Sequence, residues 1–365
     1  MKAESKNKNG TMSALVLTAP DEYEVQEVPI PHPEAGEVLC RIRAVAICGS
    51  DPEIIRGGLA GTWPPSYPFT PGHEWAGEVV EVGPDVVEFS VGDRVAGEAH
   101  KGCGYCRNCL EGRYTICTNY GRPETGHHHY GFTSRGAYAQ YNVYSIKSIK
   151  KLAPEVSFRE GALVDTAGVV LHGMELSRVT PGGTVAVIGP GPIGLIAMRF
   201  AKSLGAARVI VIGRGTRLAA ADRLGADHCI DFEQRDPVEA VRELTHGDGV
   251  DEAFECSGAE GTLNQAVRMV RKGGKVSLLG VPSDTVEEKI PFKYIVHNEI
   301  AIFGSRANPN VCWKIIHSIA SGRIVVRDLI THVFPLEDFR DALETFVGRK
   351  DGAVKVVIEP NGSEQ

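Results

Sequence analysis

The stretch Thr184-Val185-Ala186-Val187-Ile188-Gly189-Pro190-Gly191-Pro192-Ile193-Gly194 decides the fold. A run of β-branched and small apolar residues reads as a buried strand, the glycines end it, and Ile193–Leu204 then carries apolar residues at helical spacing. Strand, glycine-rich turn and helix in that order form the setting in which G-x-G-x-x-G holds a dinucleotide. Gly189 permits the tight turn, Gly191 lets backbone approach a pyrophosphate, and Gly194 lets the helix pack on the sheet; Pro192 and Ile193 open the helix whose N-terminus meets the phosphate. The plain alternative is a set of glycines that serves only a turn, and the flanking strand and helix argue against it.

Working outward, Arg208–Ile212, His228–Asp231, Val250–Cys256, Lys275–Leu279 and Ile300–Gly304 repeat the strand pattern, while Arg217–Leu224, Pro237–Leu244 and Leu263–Val270 repeat the helical one. That alternation predicts an α/β unit with a doubly wound parallel sheet, a Rossmann domain over residues 166–307. Upstream, Leu15–Leu17, Val38–Ala46, Gly77–Val82 and Arg94–Val95 are short apolar runs broken by Pro and Gly, a β-rich pattern without a strong helix. They define a first domain over 1–165. After Asn308, a helix at Val311–Ser321, a helix following Pro335 and a strand at Val354–Ile358 return residues 308–365 to that first domain.

The second strand of the Rossmann domain runs into Gly213 and Arg214, where a site for NAD normally ends in Asp or Glu to hold the ribose hydroxyls. Removing the carboxylate and adding a guanidinium makes room and charge for a 2′-phosphate, so NADP is favoured over NAD, with Arg217 as a second contact. The competing reading keeps Arg214 as a solvated residue stacked on adenine in a site for NAD, and the loop reads one residue short.

The chain has 365 residues, 42% hydrophobic and 23% charged, which suits two globular cores; no run reaches the roughly 18 apolar residues of a membrane span. A formal charge of −7 argues against nucleic-acid or anionic-membrane partners. The polar start, Met1 to Thr11, lacks the apolar core of a secretory signal and reads as a disordered tail, so the nine cysteines are placed in a reducing cytoplasm.

Clustered cysteines there point to metal. Cys103, Cys106, Cys109 and Cys117 sit in C-x2-C-x2-C followed by a fourth cysteine, in a lobe over about residues 100–120. Four thiolates that close in sequence complete a tetrahedral shell with no open position, which predicts a structural zinc. A redox dithiol needs only two of them and a thioredoxin-like surround that is missing here. Cys48 in Cys48-Gly49-Ser50-Asp51, with His73 and Glu74 in Gly72-His73-Glu74, supplies the mixed thiolate, imidazole and carboxylate set of a catalytic zinc. Each fragment alone is equally a buried cysteine or a satisfied core histidine.

Taken together, these elements from about Leu15 to Ile358 resemble the zinc-containing medium-chain alcohol and polyol dehydrogenases. The resemblance implies a GroES-like catalytic domain beside the Rossmann domain, and hydride transfer between an alcohol and a nicotinamide cofactor. It implies two zinc ions per chain and a homodimer or homotetramer, and it adds Asp165, in Ala162-Leu163-Val164-Asp165-Thr166, to Cys48 and His73 as a metal ligand. Glu74 becomes a fourth ligand that substrate or water displaces. A carboxylate at position 165 points to secondary alcohols, polyols or cyclic alcohols.

Ser50 matches the family's proton-relay hydroxyl, whereas Glu53 stands where relatives often have histidine; it takes the proton in their place or a water bypasses it. Lys355 resembles a basic residue that some relatives place on the pyrophosphate, the alternative being a solvated strand lysine. Asp51 and Glu78 are assigned no direct role, and His172 reads as a core histidine. His127-His128-His129 is expected as an elongated loop at the substrate mouth, with Trp63, Phe69 and Tyr130 shaping substrate choice. Two rival readings are a zinc-free enone or quinone reductase, which lacks this ligand set, and a non-catalytic dinucleotide-binding protein.

Overall fold

The computed structural model describes residues 10–58, 61–283 and 285–362. The tail up to residue 9 lies outside them; Thr11, read as its last residue, instead opens the strand Thr11–Ala19. The chain divides into two compact units, one of them the chain up to Asp165 with Cys312–Ala320 and everything from Val326 on, the other Thr166–Val311 with Ser321–Val325.

In the first unit the central strand is Glu37–Ala46, apolar on both faces because both are covered. It pairs antiparallel with Glu74–Val82, Lys355–Glu359 and Tyr141–Ser145, and the sheet continues through Arg94–Gly97 to Ile149–Lys151 on one side and Ile330–Pro335 on the other. The core gathers Leu15, Ile42, Trp75, Tyr138, Tyr144 and Phe339, with Trp75 stacked on Tyr144 at 4.0 Å. Burying such rings against a sheet dominates the stability of the unit. Two short helices interrupt the β-rich stretch where the sequence shows no strong helix: Asp51–Ile55, begun by Pro52, and Arg107–Leu110 in the cysteine lobe.

The second unit has six parallel strands in the spatial order His228–Asp231, Arg208–Gly213, Thr184–Ile188, Val250–Glu255, Val270–Leu278, Ala301–Gly304. The chain moves one way from Thr184–Ile188 and then jumps back past it, so the strand order reverses between Thr184–Ile188 and Val250–Glu255, the place where open sheets of this kind bind ligands. Crossover helices start where local chemistry allows. Asp236 accepts the Glu239 N–H at 2.9 Å and Pro237 opens the helix Pro237–Leu244.

A helix that the sequence reading did not mark, Val164–Ser177, is apolar around most of its girth and buried, so it carries no amphipathic stripe to find. It follows Phe158–Ala162, whose Ser157 and Glu160 form a reciprocal capping box.

Candidate functional site

Strand register assembles the first donor group. Ala46 pairs with Glu74 and Val45 with Trp75, so the chain leaving one strand at Cys48 passes the chain entering the other at His73. Gly72 makes that entry at φ +97°, and a Cβ there would lie 2.8 Å from the Tyr138 ring. The thiol of Cys48, the imidazole of His73 and a carboxylate oxygen of Glu74 all lie within 4.8 Å of one another, with His73 and Glu74 buried.

Their surroundings are charged. Asp51 is buried in the first turn of the helix after Cys48, where its Oδ2 accepts the Cys48 N–H at 2.8 Å and the Tyr138 hydroxyl at 2.7 Å; its Oδ1 lies 3.7 Å from His73 Nδ1. Burial pushes the Asp51 carboxyl above its ordinary range against the pull of His73 and these donors. Burial alone would lower the His73 imidazole, but Cys48, Asp51 and Glu74 outweigh it and raise it to about 10. A pocket that draws a proton so strongly onto an imidazole is one that favours a cation, which is the fit a divalent metal needs.

Lys355 differs from both expectations for it. It is 1% exposed, donates to the Ile47 carbonyl at 3.2 Å, and pairs with Glu74 through a short contact. Ile47 N–H donates to the Val356 carbonyl, so sheet pairing sets the lysine beside Glu74. Neither a solvated strand lysine nor a free pyrophosphate ligand describes it: its ammonium balances a buried carboxylate.

Asp165 is buried but stands outside the donor group of Cys48, His73 and Glu74; its Oδ1 accepts the Ala99 N–H at 3.2 Å. Beside it, burial and then the charge of Asp165 raise the Glu98 carboxyl to about 7, although the Tyr114 hydroxyl opposes the shift. Ser50 caps the helix Asp51–Ile55 without using its side chain, and its buried Oγ has no hydrogen-bond partner among the described residues. Glu53 is half-exposed and paired with Arg56. Glu78 lies 3.5 Å from Arg43, away from the donor group.

The second group is local. Cys103, Cys106, Cys109 and Cys117 bring their sulfurs within 4.8 Å of one another, with Cys103 and Cys109 at 3.9 Å and Cys106 and Cys117 at 3.8 Å. The N–H groups of Cys106 and Asn119 point at sulfurs at 3.4 Å, and the Thr118 hydroxyl with backbone donors pulls the Cys106 thiol down to about 5. Burial pushes the Cys109 thiol up to about 12 and the Cys117 thiol up as well, so the case for a four-sulfur zinc shell is the convergence of the four sulfurs.

In the second unit Gly189 turns at φ +94°, with a Cβ there 2.8 Å from Ser257, and a Cβ on Gly194 would strike the Gly189 carbonyl at 2.0 Å. Gly191 is different, for a Cβ there would meet only Arg217 Nη1 at 3.8 Å, so the open space beside it suits a phosphate. Gly213 gives way to Pro190, which a Cβ would hit at 2.3 Å. Arg214 lies over Phe232 and pairs with Glu233, both partners half-exposed, a link worth at most about 1 kcal/mol that a ligand can displace. His172 is half-buried on Val164–Ser177.

The histidine run departs from the expected loop. His128–His129 pairs as a short strand with His100–Lys101, and His127 and His129 are buried. Tyr130 turns into the core, where its hydroxyl accepts the Ser145 N–H at 3.0 Å, and Phe69 packs in the same core while its backbone pairs with Leu17. Of the proposed shaping residues only Trp63 stays beside the site, with its ring 5.0 Å from Phe132 and Phe132 4.6 Å from His73. The sequence reading gave Asp51 no direct role and put Lys355 on the pyrophosphate, and it missed Tyr120 as part of this neighbourhood. An aspartate three residues after the candidate ligand Cys48 was the one local signal.

Residues 34–154 match the alcohol dehydrogenase GroES-like domain and residues 192–320 the zinc-binding dehydrogenase domain. The chain is 36% identical to sorbitol dehydrogenase of Bacillus subtilis (strain 168), over 96% of this chain and 98% of that protein. It is 32% identical to D-arabitol-phosphate dehydrogenase of Enterococcus avium, over 97% and 99%. Among solved structures, a zinc-binding dehydrogenase of Sinorhizobium meliloti 1021 bound to NADP superposes with a TM-score of 0.87 at 30% identity, covering 96% of this chain and 99% of that one. No helix among the described residues is long and apolar enough to cross a membrane. A mixed α/β fold with a GroES-like part and a parallel Rossmann sheet, and likeness along nearly the whole chain, place this enzyme in the zinc-containing medium-chain alcohol and polyol dehydrogenase family, which works with zinc and a nicotinamide dinucleotide.

Proposed function

We propose that this chain transfers a hydride between a secondary alcohol, polyol or cyclic alcohol and NADP, in preference to NAD. The convergence of Cys48 with the buried His73 and Glu74, all three donor atoms within 4.8 Å of one another, carries the reading. Cys48 and His73 would hold the metal with Glu74 as the displaceable ligand, Asp165 would join them by turning its carboxylate from the Ala99 N–H toward the ion, and the four-cysteine lobe would hold a second, structural zinc. A zinc ion in the first site supplies a Lewis acid that makes an alcohol oxygen easier to deprotonate.

The chain's own residues do the rest. Lys355 keeps Glu74 charged, Asp51 orients His73 and stabilises its positive edge, and the Ser50 hydroxyl accepts the proton the alcohol loses. From Ser50 the proton passes outward by Glu53 or water. Gly189, Gly191, Pro192, Ile193 and Gly194 cradle the pyrophosphate; Arg214, past Gly213, and Arg217 offer the guanidinium groups for a 2′-phosphate. The names of the relatives, one acting on sorbitol and one on a pentitol phosphate, favour polyols.

The working form is a homodimer or homotetramer through the second unit. Its edge strand Ala301–Gly304 is only half-covered, and Val281 (86% exposed) and Phe292 (74% exposed) are costly to leave in water. Nine cysteines, none of them paired in a disulfide, suit a reducing cytoplasm. The test is zinc stoichiometry followed by absorbance at 340 nm with NADP or NAD across an alcohol panel, with light scattering for the assembly. Two zinc ions per chain with turnover supports the reading. None with enone reduction favours a reductase, and one without turnover favours a dinucleotide sensor.

A further inference from the structure

The second unit carries a groove on the edge of its parallel sheet that faces away from the glycine loop. Asp248, Lys272 and Asn298 stand where the chain enters three neighbouring strands, Val250–Glu255, Val270–Leu278 and Ala301–Gly304, whereas Gly189 and Gly191 follow the exit of Thr184–Ile188. At about 3.3 Å per residue the two edges lie roughly 15–20 Å apart, so the groove is separate from the dinucleotide crevice. A cavity of about 670 Å³ lined by Lys272, Lys293, Tyr294, His297 and Asn298 continues into one of about 270 Å³ that Arg242, Asp248 and Arg271 line, with Lys272, Tyr294 and Asn298 common to both. All of these residues belong to the same compact unit.

On a chain of formal charge −7 this wall is positive. Arg271 is balanced by Asp251 at 2.8 Å. Arg242 meets no carboxylate: its guanidinium donates to the carbonyls of Gly247 at 2.7 Å, Asp248 at 3.0 Å and Arg268 at 2.8 Å, and to the Tyr294 hydroxyl at 3.0 Å. The side chains of Lys272, Lys293 and His297 have no ion pair or hydrogen bond among the described residues, and Asp248 is the one carboxylate among the groove's described lining residues. Because the Tyr294 hydroxyl accepts from Arg242, its own proton is left to donate, and no described residue takes it. Asn298 donates to the Tyr294 carbonyl at 2.8 Å and Arg268 stands over the Tyr294 ring at 5.9 Å, so this hydroxyl is fixed in place in advance of any ligand.

A concave wall of one sign repels itself and gathers ions of the other. A phosphate monoester brings nearly two negative charges and three acceptor oxygens near neutral pH, which two ammonium groups and a hydroxyl donor match. Bare phosphate would fill a small part of a cavity in the size range that takes whole organic molecules, roughly 300–1,000 Å³. We propose that this groove is a binding site for an organic phosphate: Lys272 and Lys293 neutralise the phosphate, the Tyr294 hydroxyl donates to one of its oxygens, and the rest of the molecule lies along the groove towards Arg242. The site stands independently of the alcohol-oxidising reading, because none of its residues belongs to the donor group or the glycine loop. The phosphate can be carried by a nucleotide or by a sugar, and the two are separated by the choice of probe.

The test follows amide hydrogen exchange in the full, zinc-loaded chain, read separately over residues 291–298 and 189–194, with ADP, ribose 5-phosphate or inorganic phosphate at equal concentration and ionic strength. At least one of the two esters should slow exchange over 291–298 by about tenfold once it is well above its dissociation constant, and the more effective ester names the source of the phosphate. Inorganic phosphate should do far less. The double variant Lys272→Gln with Lys293→Gln should weaken the ester at least about tenfold and Tyr294→Phe by a smaller factor, with zinc content and exchange over 189–194 unchanged. Three results overturn the proposal: no protection of 291–298 by either ester, including protection confined to 189–194; equal protection by inorganic phosphate, the mark of a loose counter-ion; or protection that survives the double variant.

Discussion

Cys103, Cys106, Cys109 and Cys117 meet inside one short lobe, whereas Cys48, His73 and Glu74 meet because two strands pair in one register and a third, carrying Lys355, lies beside them. The local cluster is four like groups, partly exposed and braced by backbone N–H donors. The long-range cluster is mixed, mostly buried, and hedged by Asp51 and Lys355. A closed shell of sulfur needs nothing more than its ligands, while a buried site that must keep a position open needs neighbours to hold each ligand in place and in the right charge state. On the proposed reading, chemistry would follow the second kind of construction and stability the first.

The largest test of that division pairs one substitution in each cluster. His73→Ala should leave one zinc per chain and cut kcat/KM by at least about 10³-fold, several kcal/mol of barrier, while the cysteine lobe stays closed to proteolysis. Cys106→Ser should instead lower the midpoint and open the lobe to limited proteolysis around Arg107 and Arg113 while the first zinc stays. Metal analysis with kinetics and urea unfolding reads both, and an active His73→Ala protein would show that the buried group is not where the reaction happens.

Next in size is the ion pair behind the donors. Lys355→Met leaves Glu74 buried without its cation, which should cost about 3–5 kcal/mol in metal-stripped protein. The double variant Lys355→Met with Glu74→Gln should recover most of that, because the uncompensated charge is gone. Equal losses in the single and double variants would mean that lysine packing, not charge, matters. Smaller again is Asp51→Asn, which keeps the shape but removes the charge facing His73: zinc at the first site should weaken by about 10–100-fold against a competing chelator, with the four-cysteine zinc untouched.

The same contrast explains what could be read from the chain. Four cysteines at three-residue and eight-residue steps announce themselves, and so do the strand and glycines of Thr184–Gly194, since each is a local pattern with a local cause. Lys355 could not be placed that way, because its partner Glu74 is reached only through sheet pairing across most of the chain. Tyr130 and Phe69 were expected at a substrate mouth, but a tyrosine that follows three histidines gives no sign that the pairing of His128–His129 with His100–Lys101 will turn it into the core. The helix Val164–Ser177 escaped for the opposite reason: full burial erased the periodicity that marks helices on a surface.

A buried carboxylate with no ion pair among the described residues, although Lys275 stands opposite it on the next strand, gives the smallest and most revealing comparison with Glu74. Glu252, in the parallel sheet, is 1% exposed; its Oε1 accepts the Ser277 hydroxyl at 3.2 Å and its Oε2 has no partner among the described residues. Burial raises its pKa, against the help of Ser177, Lys275 and Ser277. A carboxyl whose pKa is raised on folding contributes stability below its ordinary range and loses it as pH rises through the folded value, because the native state must then hold a charge it solvates poorly. Glu252→Gln, which cannot ionise, should match the parent near pH 4 and exceed it by about 1 kcal/mol at pH 8 in urea unfolding. Glu74→Gln in the metal-stripped protein should do the reverse at pH 8, because it takes the partner from Lys355. If both substitutions stabilised, the lysine would not be what keeps Glu74 charged, and the distinction between a paired and a merely buried carboxylate would fail.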